Sequence, residues 1–203
     1  MTFPDVVWNE RLLTLTETER LSASGWPALL DVLMAHQQQS WPLLKEGVEG
    51  LSRVQVKELA LDGIRLVAQH NPRRLTSTTA AVDDRAIRQR QCFLCPEGLP
   101  PEEKGLPYGE EFVILCNPFP ILSGHLTIVH RDHRPQALAG VFHVLLDLAH
   151  DLAPDYFVLY NGAKCGASAP DHLHFQAARR GKLPIEEHLG GPYDTKIAGD
   201  RTA

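Results

Sequence analysis

The sequence of 203 residues contains no apolar run approaching the roughly 20 residues of a membrane-spanning helix, which excludes a helical membrane protein. Its first residues, Met1-Thr2-Phe3-Pro4-Asp5, lack the basic-then-apolar order of a secretion signal, so a cytoplasmic protein is expected. Positive charge is also short: 20 Lys and Arg stand against 25 Asp and Glu, a formal charge of -5. Without a basic face, polymeric nucleic acid is not an expected partner, whereas a small phosphorylated ligand needs only a few local donors. Cysteine is scarce, and four in a chain of this length would make a thin disulfide framework. Internal repeats and low-complexity tracts are absent, and a hydrophobic content of 43% is enough to bury a core.

The spacing of Trp26, Leu29, Leu30, Leu33 and Met34, with Pro27 suited to a first turn, predicts a helix from Pro27 to about Gln39. Val54 to Leu61 alternates with period two before Asp62-Gly63, a two-residue hairpin signal, and Ile64 to Gln69 is the expected return strand. Residues Arg73 to Arg90 read as a connecting segment with a short helix at Asp83–Arg90, and Glu97 to Gly109 as a loop. Strands follow at Phe112–Cys116, His125–His130, Tyr156–Tyr160 and His172–Ala177, with a helix from Ala137 to Leu152. The order predicts an α+β fold, an antiparallel sheet with helices on one side. We divide the chain into a helix, hairpin and connecting segment (1–90) and a catalytic core (91–203), packed as one unit.

Cys92-Phe93-Leu94-Cys95 has the spacing of a metal knuckle, which supplies two thiolates at little ordering cost. His125, His130, His133 and His172 are candidates for the remaining ligands of a tetrahedral Zn2+ site. A redox pair would instead open a helix in a parallel unit, whereas this pair precedes a Pro/Glu/Gly loop; unliganded thiols are the other alternative. Cys116 and Cys165 are expected to be free thiols, buried or partly so.

Along a strand His172, His174 and Gln176 share one face, with Leu173 and Phe175 on the other. The loop Asn161 to Pro170 ahead of it is built of small residues and can bring backbone N–H groups close to an anion. A histidine that attacks phosphorus must be neutral, with one nitrogen held by a hydrogen bond and the other keeping its lone pair. Gln176, Ser168, Asn161 and loop amides such as that of Gly166 could donate to the phosphoryl oxygens.

Asp171-His172-Leu173-His174-Phe175-Gln176-Ala177 resembles the active strand of the histidine-triad (HIT-like) superfamily, in the branch that carries His-x-His-x-Gln. It is similar to the GDP-hexose phosphorylases, and the similarity continues through Leu183-Pro184-Ile185-Glu186-Glu187. The Gly166-Ala167-Ser168 loop is similar to that of diadenosine tetraphosphate phosphorylases, and Asn161-Gly162 to that of galactose-1-phosphate uridylyltransferase. The resemblance implies that His174 is the nucleophile and that Gln176 orients the phosphate. Gly124 to His133 resembles the Gly-His-x-Leu-Val-Ile-Pro-Lys-x-His strand of zinc-containing members, which selects Cys92, Cys95, His133 and His172 as ligands of a structural zinc. His130 stands where these relatives often have proline, leaving His130 or His133 open as the ligand. Gln69 to Arg74 is similar to the Gln-x-Asn-x-x-Arg run of the GDP-hexose phosphorylases and makes Arg74 a candidate phosphate contact.

What the resemblance implies is a nucleotidyltransferase or phosphorylase. Its substrate would be a nucleotide sugar or dinucleoside polyphosphate, and its acceptor inorganic phosphate or a sugar phosphate. The alternatives are a HIT-type hydrolase and a non-catalytic, zinc-stabilised nucleotide-binding protein. The phosphorylases continue well past the catalytic strand, whereas this sequence runs to Ala203, so the base- or sugar-reading elements are expected either to be missing or to come from a second subunit, in a homodimer.

Overall fold

Two continuous apolar segments form the middle of the molecule. In the computed structural model, which describes residues 3–16, 19, 24–62, 64–71 and 83–187, β4 (Phe112–Cys116) and β5 (Leu126–His130) are buried along their whole length. A strand covered on both faces has no solvated side, which is why neither segment alternates in polarity. They belong to a five-stranded antiparallel sheet of order β3-β4-β5-β7-β6, with β3 at Gly105–Tyr108, β6 at Tyr156–Leu159 and β7 at His174–Arg179. The fold is therefore α+β, as expected.

One face of the sheet carries Ile114, Ile128 and Phe175. It is filled by Leu30 and Leu33 of α2 (Trp26–Ser40), Leu44 of α3 (Pro42–Gly50), and Val144 and Leu148 of α5 (Phe142–Asp151). The other face carries Val113, Leu115 and Val129. These are met by Trp8 of α1 (Phe3–Arg11) and by Leu94 and Leu99 from the segment around Cys92 and Cys95. The indole of Trp8 donates to the carbonyl of Arg131 at 2.9 Å, fixing α1 where β5 ends. Helix α1 and helix α3 were not among the expected elements.

The hairpin pairs β1 (Gln55–Leu61) with β2 (Ile64–His70) through the register Leu59↔Leu66 and Leu61↔Ile64. Asp62 has φ 50°, a left-handed position of the kind a two-residue hairpin turn requires. Every described residue of both strands is exposed, so the alternation there marks pairing and not burial. At its base Gln69 Nε2 donates to the Ile121 carbonyl at 3.0 Å, and near its turn Arg65 pairs with Glu58 at 3.0 Å and with Glu187.

Three local expectations need correction, and a fourth, the short helix, holds with its two outermost residues as caps. Strand β3 lies inside the expected loop Glu97–Gly109. Pro107 spoke against a strand, yet β3 is at the sheet's edge, where a missing donor is tolerated. Helix α5 starts at Phe142 and not near Ala137, because Gly140 takes φ 82° and breaks the helical path just before it. The short helix α4 is Asp84–Gln89, with the Asp83 carboxylate accepting from the N–H groups of Arg85 and Ala86. Strand β7 begins two residues later than expected, since the N–H groups of His172 and Leu173 go to the carbonyls of Ala169 and Arg134 and not into the sheet ladder.

Candidate active site and metal centre

The Cys92–Cys95 turn is followed by a second, Cys95–Gly98, in which the Gly98 N–H donates to the Cys95 carbonyl at 2.8 Å. A Cβ at Gly98 would sit 2.0 Å from the Cys92 carbonyl oxygen, so only glycine fits. Leu94 and Leu99 bury themselves against the sheet and hold the turn over the end of β5. Arg90 ties the same turn to the loop ahead of His172: its guanidinium pairs with Asp171 at 2.8 Å and lies 4.6 Å from the centre of the Phe93 ring.

These contacts bring Cys92, Cys95, His133 and His172 together, one ligand atom from each lying within 4.8 Å of all the others. Cys92 Sγ is 3.2 Å from His172 Nδ1, and Cys95 Sγ is 3.3 Å from His133 Nδ1 and 3.6 Å from His172 Nδ1. Ligands on a tetrahedral ion with bonds of about 2.0–2.3 Å stand about 3.3–3.8 Å apart, so the spacing fits a small dication. The four residues can hold a metal ion. His172 Nε2 lies 2.8 Å from the His130 carbonyl; donation there places the proton on Nε2 and the lone pair on Nδ1, towards the sulfurs. Burial pushes the His172 imidazole down to about 4, keeping it neutral as a ligand must be. Burial, with the adjacent Cys92, pushes the Cys95 thiol up to about 12, so ionising it needs a compensating positive charge. His133 Nε2 lies 3.8 Å from the Asp171 carboxylate.

Between His130 and His133 the geometry is clear. The ring of His130 is buried, with Nδ1 accepting from the Asp132 N–H at 2.9 Å and Nε2 lying 3.1 Å from the Arg134 guanidinium, outside the cluster. Its carbonyl, which meets His172, is its contribution.

His174, two residues on, is 3% exposed. Its Nδ1 lies 2.8 Å from the His172 carbonyl, so Nδ1 carries the proton and Nε2 keeps the lone pair. Burial holds its pKa below the ordinary histidine range, favouring the neutral ring. Its backbone is clamped by a residue that sequence reading missed. The buried Gln136 side chain accepts from the His174 N–H at 2.8 Å and donates to the carbonyls of His174 at 2.9 Å and Asn161 at 2.8 Å. Strand β6 ends at Leu159, opposite Gln176, and the Gln136 amide completes the ladder beyond that point. No motif marks it; its only signal is a polar side chain buried after Pro135.

Gln176 stands opposite Thr127 on β5 and Leu159 on β6, on the sheet face that also carries His174. Its Oε1 is 2.9 Å from His125 Nε2. The loop from Asn161 crosses from β6 to β7. In it Gly166 is exposed with φ 91°, Ser168 is half-buried, and the Asn161 carbonyl is engaged by Gln136. Arg74 lies outside the described residues. All four cysteines are free; Cys116 is buried, whereas Cys165 is exposed at the loop's tip, contrary to expectation. Among the described residues, no helix is long and apolar enough to cross a membrane.

The family described as "Domain of unknown function (DUF4922)" matches residues 33–179, and the chain belongs to it. The match begins inside α2 and runs through α3, the hairpin and the sheet up to the last residue of β7. No curated protein matches the chain. Solved structures of yeast Ap4A phosphorylase are similar to it. The complex with AMP is 18% identical over 80% of this chain and 53% of that chain, with a TM-score of 0.49. The complex with Ap4A is 18% identical over 81% and 56%, with a TM-score of 0.45. The chain spans about half the length of these structures.

Proposed function

We propose that this protein is a nucleotidyltransferase of the phosphorylase type. It acts on a nucleoside diphosphate sugar or a dinucleoside polyphosphate through a nucleotidyl-His174 intermediate, beside a structural zinc held by Cys92, Cys95, His133 and His172. The observation that carries this reading is the 2.8 Å contact from His174 Nδ1 to the His172 carbonyl. It fixes the tautomer that a phosphorus nucleophile requires. The His-x-His-x-Gln pattern and the small-residue loop before it support the same reading.

His174 Nε2 attacks the α-phosphorus, the P–N bond forms, and the bond from phosphorus to the bridging oxygen breaks, releasing a sugar phosphate or a nucleotide. The positive charge that builds on the imidazole is stabilised by the His172 carbonyl through the retained Nδ1 proton. Inorganic phosphate or a sugar phosphate then attacks the same phosphorus, the P–N bond breaks, and His174 returns to its neutral state. Gln176, Ser168, Arg74 and backbone N–H groups near Asn161 and Gly166 donate to the non-bridging oxygens. A bound zinc fixes the end of β5 and the start of β7 to the knuckle, and so fixes the carbonyl on which His174 rests.

The test is a rapid quench with α-labelled GDP-, UDP- and ADP-sugars and dinucleoside polyphosphates. We expect a base-stable, acid-labile label on the wild-type protein and none on His174→Ala, with zinc content unchanged. Turnover by His174→Ala at the wild-type rate would contradict the proposal. Running the reaction with and without inorganic phosphate separates phosphorolysis from hydrolysis through the products.

A further inference from the structure

An amide has two different ends, and a phosphate needs the donor end. Gln176 can stabilise phosphoryl oxygens only if its –NH2, and not its Oε1, faces them. Nothing in Gln176 itself decides this, because the two ends have nearly the same shape. The decision falls to His125, which is 5% exposed and precedes β5 on the side of the sheet where Leu126 pairs with Ala177.

The Ile121 N–H lies 3.3 Å from His125 Nδ1 and is a donor with no acceptor capacity, so Nδ1 must present its lone pair. A neutral imidazole then carries its proton on Nε2. That nitrogen is 2.9 Å from Gln176 Oε1, which consequently accepts. The amide oxygen is thereby engaged by His125, which leaves the –NH2 as the end available to a ligand. His174 and Gln176 are two residues apart on one face, a separation of about 6.7 Å, the length of a phosphate and its hydrogen bonds.

We infer that His125 is a positioning residue: its Nε2–H locks the Gln176 side chain with the amide –NH2 facing the phosphate attacked by His174. The chain of direction runs from the Ile121 N–H through the imidazole to the amide. This inference rests on the nucleotidyl transfer proposed above. A histidine that merely anchored the 117–125 turn to the sheet would make the same contact without any effect on the chemistry.

The anchoring role and the orienting role separate in three variants of the full-length, zinc-loaded protein. His125→Phe keeps the ring volume and removes both nitrogens. His125→Gln loses the contact to Ile121 but restores a donor to Gln176 Oε1. We expect His125→Phe to lower kcat by about 10- to 100-fold with KM changed by less than about threefold, a loss smaller than the roughly 100- to 1000-fold for deleting a transition-state donor outright, because the amide is misdirected and not removed. His125→Gln should recover kcat to within about fivefold of wild type although both variants lose the Ile121 contact. Adding Gln176→Ala to His125→Phe should cost nothing further, because the two residues act as one unit. Equal kcat in His125→Phe and His125→Gln, or losses that multiply in the double variant, would overturn the inference.

Nitrogen-15 NMR of the wild-type imidazole gives a readout that needs neither turnover nor a folded variant. An Nε2-protonated His125 agrees with the assignment, and an Nδ1-protonated His125 refutes it. A His174 label on wild-type protein combined with the wrong His125 tautomer would remove this inference alone. Absence of the label would remove the proposed reaction, and with it any orienting role.

Discussion

His172 and His174 are two residues apart in sequence, both buried, and both oriented by a backbone carbonyl, yet opposite ring nitrogens do the orienting. In His172 it is Nε2 that meets a carbonyl, that of His130, and Nδ1 turns to the sulfurs of Cys92 and Cys95. In His174 it is Nδ1 that meets a carbonyl, that of His172 itself, and Nε2 is left with the lone pair. The same device, applied to the other nitrogen, turns one lone pair towards two thiols and leaves the other free, the difference on which the proposed roles of ligand and nucleophile rest. The second carbonyl belongs to the first histidine, so holding His172 in place also holds the hydrogen-bond acceptor of His174.

The largest expected effect comes from breaking the His172 side of the pair. His172→Ala, or Cys92→Ala, should abolish binding of the proposed zinc and lower stability by several kcal/mol, a fall in Tm of about 10 °C or more for a chain of this size. Elemental analysis and a thermal melt with and without chelator check this. A variant that keeps one equivalent of metal and the wild-type Tm would separate the cluster from the fold.

A smaller effect is expected at Glu103, buried away from both histidines and close to Cys116. Burial pushes its carboxyl up to about 8, partly opposed by Arg11, so the folded state holds a proton that the unfolded chain releases near 4.5. Its stabilising contribution is complete below the unfolded value and is lost as pH rises towards 8. Urea midpoints at pH 5 and pH 8 should therefore differ by less in Glu103→Gln than in wild type, the variant gaining relative to wild type as pH rises. An identical pH dependence in the two proteins would contradict the assignment.

The smallest loss is expected on the His174 side, through the clamp. Gln136→Leu leaves the His174 N–H without its acceptor and should cost about 1–3 kcal/mol of stability. Its effect on turnover should exceed its effect on metal content, since the clamp touches His174 and Asn161 and none of the metal ligands. Loss of zinc in this variant would make the two sites one cooperative unit.

What the sequence disclosed follows from the range of the forces involved. The run Phe112–Cys116 has the bounds of β4, because five apolar residues between polar ones have no alternative to a buried strand. The convergence of Cys92, Cys95, His133 and His172 was legible because a Cys-x-x-Cys turn and histidines at strand ends are rarely gathered for another purpose. The hairpin's pairing was legible from Asp62-Gly63, but its exposure was not: alternation prescribes two faces and does not say what covers either. Strand β3 escaped because Pro107 is admissible only at an edge, and edge position is a property of the whole sheet. Gln136 escaped for a similar reason. A glutamine whose amide completes a ladder has no local pattern, and its role exists only once β6 has ended at Leu159. The choice between His130 and His133 depended on which ring a bend after β5 turns towards Cys95.

Intact-protein and peptide mass spectrometry after mixing with a cleavable nucleotide substrate tests the proposed division of labour between the two histidines. A single nucleotidyl adduct is expected on the peptide containing His174, absent in His174→Ala, while zinc content and Tm stay at wild-type values. An adduct on His172, His133 or His125, or a His174→Ala protein that loses its zinc, would contradict it.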